Sequence, residues 1–476
     1  MIFSWIGRRI ADHAVDNIIK TVARDTYTEN LFELFTTTRK FGLINLVETD
    51  FRAVQGKPPA RPFGSVVALS PWDKLLFNPV HLWRLPTPEN TAIDTSVVIG
   101  PAAEKPLRLQ IPILIAGMSF GSALSEQVKI ALARATGRLG TATNTGEAGL
   151  LPSERKAAKY LIGQYNRGGW LNSPDKLRQL DAVEVQLGQG AQAAVPQRTL
   201  AKDIGPDFRR VFGLAEGEDA VIHSRLPGIN AAEDFLALIP QLKKEAQGIP
   251  VGLKLCATHH LERELEIAVK AGVDFLAIDG HEGGTHGGSS TIQDDMGLPT
   301  LVAVARAARY LKRSGADKHI SLIASGGLRT PGQMLKAIAL GADAVAIGTA
   351  AILALAAGQT DKTVPFEPPT ELVFYSGRLK ERFDIETGTE SLVNYLKTVV
   401  LDMKHVVMAL GKTAVSELAP SDLVALDRDL AYITGVDYAY LPPEEQWLLS
   451  APIRLTGLDG ANVMPADGVA VESSKG

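Results

Sequence analysis

The chain reads as an α/β protein of the (β/α)8 TIM-barrel class, and three observations predict it. Short apolar runs recur along its middle, among them IPILIA from Ile111, GLKLC from Gly252, FLAID from Phe275, ISLIAS from Ile320 and DAVAIG from Asp343. Continuous runs of this kind are what strands buried on both faces of a parallel sheet require. Amphipathic stretches separate them, so strand, loop and helix alternate, which favours a barrel over an open doubly wound sheet. Several runs end in glycine pairs, the signature of strand ends that open into close-approach loops. No G-x-G-x-x-G follows an early strand, which argues against a nicotinamide-binding Rossmann domain.

Residues 1–105 read as a helix followed by an extended strap. MIFSWIGRRIADHAVDNIIKTVARD spaces its apolar residues near the helical period but is interrupted by Arg8, Arg9 and Asp12. It lacks the apolar core and cleavage site of a secretory signal and is too polar to span a bilayer. It is expected to pack on the protein or on a partner subunit, with membrane-surface binding as the alternative. In the strap, KPPARPFGS and NPVHLWRLPTPENT lack periodicity, and Trp72, Phe77 and Trp83 read as packing anchors.

The barrel is expected over 106–358. Ile111 to Ala116 form the first strand, Gly117 to Ser122 its loop, and Leu124 to Leu139 an amphipathic helix. TATNTGEAGL carries Glu147, read as a general acid, a hydrogen-bond acceptor for a ligand, or a solvated loop carboxylate. AVEVQLGQGAQ, with Glu184, Gln186, Gln189 and Gln192, is the third strand. EDAVIH supplies another before a helix starting near Ala231, and IPVGLKLCAT is the fifth. Lys254 lies inside that apolar strand, so it faces either an anion in a cavity or solvent at the strand end, and the cavity is preferred. Ala277 to Asp279, Ile320 to Ser325 and Ala344 to Gly348 follow, and the count reaches eight with one strand near the four-to-five boundary unplaced. Gly283, Gly284 and Thr285, then Gly326 and Gly327, then Gly348 and Thr349 form three walls of one phosphate cradle at the C-terminal face.

Residues 359–476 read as a connector and C-terminal helices. SLVNYLKTVVLDMKHVVMALG has helical spacing with Gly411 as its C-cap, a short helix follows from Ser421, and the tail is irregular from Leu441. A net charge of -4 argues against nucleic acid as a general partner, and charged and hydrophobic fractions of 21% and 45% are ordinary for a soluble globular chain. The single cysteine, Cys256, rules out an internal disulfide and a multi-thiolate metal site, so no metal and a cytoplasmic location are expected.

MSFGS (Met118 to Ser122), GRLGTATNTGEAG (Gly137 to Gly149), GQGAQ (Gly188 to Gln192), GLKL (Gly252 to Leu255), DGHEGGT (Asp279 to Thr285), ASGGLRT (Ala324 to Thr330) and LGADAVAIGTAAILAL (Leu340 to Leu355) together resemble the FMN-binding synthase domain of glutamate synthase. They stand in that family's order across residues 111 to 355. The resemblance implies FMN at the C-terminal face of the barrel and reduction of 2-iminoglutarate to glutamate. It implies that Met118, Ser119 and Gly121 lie against the flavin, and that Thr143, Asn144 and Glu147 line the ring and substrate pocket. Gln189 and Lys254 would contact the isoalloxazine, with Ser325 and the cradle glycines and threonines at the phosphate.

Three departures qualify what it implies. The family's iron–sulfur cysteines are absent, the first position falling on Ala357. Gln186 and Gln192 stand where the family has lysines. HSRLPGI (His223 to Ile229) replaces a proline- and histidine-rich loop, with Arg225 a candidate substrate contact. Met1 begins the chain, so no glutaminase nucleophile is expected in it. The leading expectation is an FMN-dependent oxidoreductase acting on a C–N bond of an amino or imino acid. Glu147, Lys254 and His281 are its catalytic candidates, His281 being alternatively structural. Electrons would come from a partner subunit, a diffusible donor or the substrate, and an oligomer is expected. The alternatives are an amine-supplied subunit of an N-methylglutamate synthase-like complex and a noncatalytic scaffold.

Overall fold

The computed structural model describes residues 2–24, 32–285, 287–364 and 366–449. Eight parallel strands form one sheet: β1 (Ile113–Ile115), β2 (Ala142–Asn144), β3 (Tyr160–Tyr165), β4 (Ala182–Gln186), β5 (Val251–Cys256), β6 (Phe275–Asp279), β7 (Ser321–Ser325) and β8 (Ala344–Ile347). Each lies beside its neighbours in sequence, and β8 pairs with β1. Only β1 and β2 share no ladder among these strands. Their seam is closed near the strand starts, where Thr141 Oγ1 donates to Ile113 O at 2.6 Å and Gln110 N to Gly140 O at 3.0 Å. The result is a TIM barrel.

The strand missing from the sequence count is β3, not one near the four-to-five boundary. Its apolar run is short, broken by Gly163 and Gln164, and preceded by a helix of only six residues, Pro152–Ala157. The stretch Ala220–Ile222, counted as a barrel strand from the sequence, instead pairs antiparallel with Gln197–Thr199 in an insertion between β4 and β5.

The two barrel ends differ. A hairpin of Val97–Ile99 and Leu107–Leu109 plugs the N-terminal end, where Ile99, Leu107 and Leu109 pack with the inward residues Leu114, Ile162, Phe275 and Ile323. Gly252 makes room there, since a Cβ on it would fall 2.4 Å from the Phe275 ring. Apolar filling of this end leaves the C-terminal end free to hold a ligand.

Outside the strands, the helix Glu126–Arg138 starts at Ser125, whose hydroxyl accepts from Val128 N at 3.4 Å. The helix Ile385–Ala409 starts at Asp384, which accepts from Thr387 N at 2.7 Å, and it buries Leu392, Leu396, Val399, Met403 and Val407 along one stripe. Gly411, at φ +66°, follows its end. The short helix at Ser421 is a single 3-10 turn, Pro420–Asp422. A strand, Leu423–Ala425, pairs antiparallel with Leu75–Phe77 of the strap, and an α-helix comes later, at Arg428–Thr434. Pro443–Leu449 is a 3-10 helix, and the tail beyond it lies outside the described residues. Trp72 is buried as expected, but Trp83 is 92% exposed and anchors nothing. The segment Ile2–Arg24 is helical, and apart from Val22 its described side chains are exposed. Among the described residues no helix is long and apolar enough to cross a membrane.

The strap is tied to the loop after β6 by charge. Arg61 grips Asp294 through both terminal nitrogens, at 3.1 and 2.5 Å, and Glu48 at 3.1 Å. Glu282 accepts from Ser70 N at 2.5 Å, from Thr300 N at 2.9 Å and from Thr300 Oγ1 at 2.7 Å. Burial pushes the Glu282 carboxyl up, but these bonds outweigh it and hold its pKa below the ordinary 4.5. A lowered folded-state pKa contributes stability above the unfolded value and loses it as pH falls through the folded one. Glu282→Gln is therefore expected to cost about 1–3 kcal/mol at pH 7, and the gap from the parent protein should close as denaturation is repeated below about pH 4.5. A gap independent of pH would remove the ionised carboxylate as its source.

Candidate functional site

A cavity of about 630 Å³ opens at the C-terminal ends of the strands, inside the roughly 300–1,000 Å³ range of ligand sites. Met118, Ser119 and Ser122 after β1, Glu147 after β2 and Gln164 on β3 form one side. Gln189, Gln192, Gln197 and Ile222 supply the next, from the loop after β4 and the inserted hairpin. Lys254 of β5 and Asp279 of β6 lie deeper, and Phe63 and Ser65 of the strap close the roof.

Opposite them lies the cradle. Gly284 and Thr285, Ser325, Gly326 and Gly327, and Gly348 and Thr349 all line the cavity, from three successive strand ends. Gly326 and Gly327 have φ +112° and +65°, and a Cβ at Gly327 would fall 2.4 Å from Glu282 Cβ. No larger residue fits there. The helix Thr349–Ala357 begins at this wall, adding the positive end of its dipole to the free amides. Arg329 also lines the cavity and is exposed, with no ion pair among the described residues. Gly283 is not part of the wall: its N–H goes to Gly280 O at 3.0 Å, and a Cβ would meet Asp279 Oδ2 at 2.7 Å. It is a packing glycine.

Lys254 stands at the floor. It is 4% exposed, has no hydrogen-bond or ion-pair partner among the described residues, and lines both the main cavity and a cavity of about 10 Å³ beneath it. Glu184, Asn144 and Ser325 line the smaller one. Glu184 Oε1 accepts from Asn144 Nδ2 at 3.0 Å and Gln164 Nε2 at 2.8 Å, while Asn144 Oδ1 accepts from Gly146 N at 2.9 Å. Asn144 thus supports the floor from below. Thr143, the adjacent residue of β2, lines neither cavity, and its buried hydroxyl has no partner. Alternation along the strand turns its side chain to the other face.

Glu147 reaches the cavity already engaged. Arg167, fully buried, donates Nε to its Oε1 at 3.0 Å and Nη2 to its Oε2 at 2.8 Å. A bidentate pair of this kind holds the carboxylate as an acceptor, so Glu147 is neither a solvated loop carboxylate nor placed as a general acid. His281 is set apart from the cavity: Nδ1 meets Met296 O at 3.0 Å, its backbone N donates to Leu298 O at 2.7 Å, and it is 1% exposed. It is a loop-fixing residue. Arg225 is exposed on its loop and lines no part of the cavity. Gly121, at φ +81°, packs against Phe208, whose ring a Cβ would approach to 2.9 Å. The Cys256 thiol is pushed up to about 12 by burial and by the Asp279 charge, which leaves it unreactive.

Gln164, Arg167, Glu282 and Arg329 belong to the site and were not singled out from the sequence, and Glu184 was named there without a role. For Arg329 a signal was present, since a cation directly after the glycine pair of ASGGLRT is placed to meet an anion. Gln164 was lost with β3, which the sequence did not show as a strand.

The conserved region of glutamate synthase matches residues 85–413. A glutamate synthase large subunit-like protein of Rhizobium meliloti is 33% identical over 413 residues, covering 83% of this chain and 93% of the relative. An archaeal-type glutamate synthase (NADPH) of Dehalococcoides mccartyi is 30% identical over 386 residues, with 77% of each chain covered. Among solved structures, a lactate oxidase of Pediococcus acidilactici is similar in fold, with a TM-score of 0.50 and 13% identity over 75% of this chain and 84% of that one.

The loops on either side of the β1–β2 seam are held by one buried cation. Lys129 Nζ donates to Met118 O at 2.7 Å and Asn144 O at 2.8 Å, and pairs with Glu154 at 2.9 Å. Lys129→Met leaves Glu154 buried and alone, and is expected to cost about 3–5 kcal/mol in chemical denaturation. The double variant Lys129→Met, Glu154→Leu should recover most of that loss. Equal losses in single and double variants would show that the ion pair is not what the single variant breaks.

Proposed function

This chain belongs to the glutamate synthase family, and we propose that it is an FMN-dependent oxidoreductase acting on the C–N bond of an amino or imino acid. The observation that carries this reading is one cavity with a glycine cradle at one wall and a partnerless lysine at the floor. FMN fits both. Its phosphate suits the amides of Gly284, Gly326, Gly327 and Gly348, with the hydroxyls of Thr285 and Thr349 and the charge of Arg329 beside them. Its ring suits the floor and the Met118–Ser119 side, where Lys254 lies buried without a counter-charge. Bound FMN supplies reversible hydride exchange with the substrate carbon.

The chain's own groups do the rest. Lys254 compensates negative charge that develops over the floor, and being desolvated it does so strongly. Glu147, held by Arg167, offers aligned lone pairs to the N–H groups of an amine and fixes the carbon–nitrogen bond in place. Phe63, packed against Phe374 with ring centroids 5.9 Å apart, roofs the cavity and keeps water out. The second half-reaction needs an electron donor or acceptor, supplied by a partner subunit or a diffusible carrier, since one cysteine cannot hold an iron–sulfur cluster.

The purified protein is expected to show flavin absorbance and to release FMN on heating. A protein that stays colourless after incubation with FMN would sink the proposal and favour a scaffold. Lys254→Met should keep FMN but slow substrate-driven bleaching by about 10²–10³, as stopped-flow absorbance would show. An unchanged rate would remove Lys254 from the chemistry.

A further inference from the structure

The charges around the cavity constrain the substrate more tightly than the reaction type does. Among the described residues, the cationic side chains that line it are Lys254 and Arg329. They stand at opposite ends, one at the floor and the other beside the cradle. Three carboxylates line it as well: Glu147, Asp279 and Glu282. Arg167 cancels the first. Asp279 accepts from Gly190 N at 2.9 Å and Glu282 from Ser70 and Thr300, so both are hydrogen-bonded without a cation. Positive and negative groups are therefore already balanced before any ligand enters, and a phosphate carrying about -1.5 to -2 charge turns the cavity negative.

The wall between the two ends is neutral. Gln186 Nε2 donates to Gln189 Oε1 at 3.4 Å and Gln189 Nε2 to Gln192 Oε1 at 3.1 Å, and the row ends on a Gln192 amide nitrogen that meets no partner among the described residues. Such an end is suited to a carbonyl or hydroxyl. It offers no charge to a second carboxylate, which would be desolvated beside Asp279 and Glu282 with no cation left to receive it.

We infer that the substrate is an amino acid whose side chain is uncharged and hydrogen-bonding, not a dicarboxylate. Its ammonium meets Glu147, and its side chain meets the glutamine wall. This rests on the FMN reading, which supplies the phosphate charge.

The test uses the FMN-loaded protein. The matched pairs glutamine and glutamate, and asparagine and aspartate, are titrated anaerobically with 2-oxoglutarate alongside, following the flavin difference spectrum and bleaching. At least one neutral member is expected to bind about tenfold or more tightly than its acidic partner, a difference of about 1.4 kcal/mol. Gln192→Lys should narrow or reverse that preference by improving binding of the acidic member. Preference for the acidic members or for 2-oxoglutarate in the parent protein would overturn the inference, as would a flavin that no amino acid in the set perturbs. A colourless protein is a different failure, that of the FMN reading itself.

Discussion

The ammonium of Lys129 is the constraint on which the site's geometry depends. It is fully buried, in the one gap of the barrel where adjacent strands share no ladder. An isolated charge there would be costly, and the surroundings are arranged to offset that cost. Glu154 supplies the counter-charge. Burial pushes the Glu154 carboxyl up, and the nearness of Lys129 works against it. The carbonyls of Met118 and Asn144 take two of the lysine's three protons. One carbonyl lies just past the end of β1 and the other is on the last residue of β2, so the cation replaces missing backbone pairing with side-chain bonds. It thereby fixes the loops that carry Ser119 and Glu147.

Around that seam the barrel is divided along its axis by polarity. The N-terminal half is sealed by Ile99, Leu107, Leu109 and Phe275, where no polar group need be satisfied. The C-terminal half holds Glu184, Gln164, Asn144 and Lys254, side chains that are affordable only with partners or with a ligand. Glu184 has its amides and Glu147 has its arginine. Lys254 has none. The unmatched cation, in register with Gln186 whose Oε1 also lacks a partner among the described residues, is the group the proposed flavin would meet.

The barrel was legible because its signal is local. Continuous apolar runs and glycine-ended strands can be seen in single windows of sequence, and Lys254 stood out as a charge within one. What escaped depends on direction or distance. Gly283 and Gly284 are adjacent and look alike, yet one packs on Asp279 and the other faces the cavity. Thr143 and Asn144 differ by one step of strand alternation. The partner that makes Glu147 an acceptor is 20 residues away in another unit, and nothing local pairs them. His281 drew attention as a histidine in a glycine loop, but its Nδ1 meets Met296 O, its Nε2 is buried without a partner among the described residues, and it lines no part of the cavity. Ala220–Ile222 has the texture of a strand because it is one, and only its pairing partner shows that it lies outside the barrel.

The two sides of the cavity differ in how they are built, and that bears on what can vary. The cradle comes from the ends of β6, β7 and β8, where backbone conformation does the work: φ at Gly326 and Gly327 admits little else. The facing side comes from the inserted hairpin, the loop after β4 and the strap, all additions to the strand–helix repeat. These contribute side chains, which can be exchanged without disturbing any ladder. The roof is held by Phe63 packed on the core and by Arg61, Asp294 and Glu282, polar contacts between the strap and the loop after β6. A change of substrate therefore needs no change in the cradle. It needs different residues at positions such as Gln189, Gln192 and Gln197, and selectivity in this fold is carried by the parts least determined by the barrel itself.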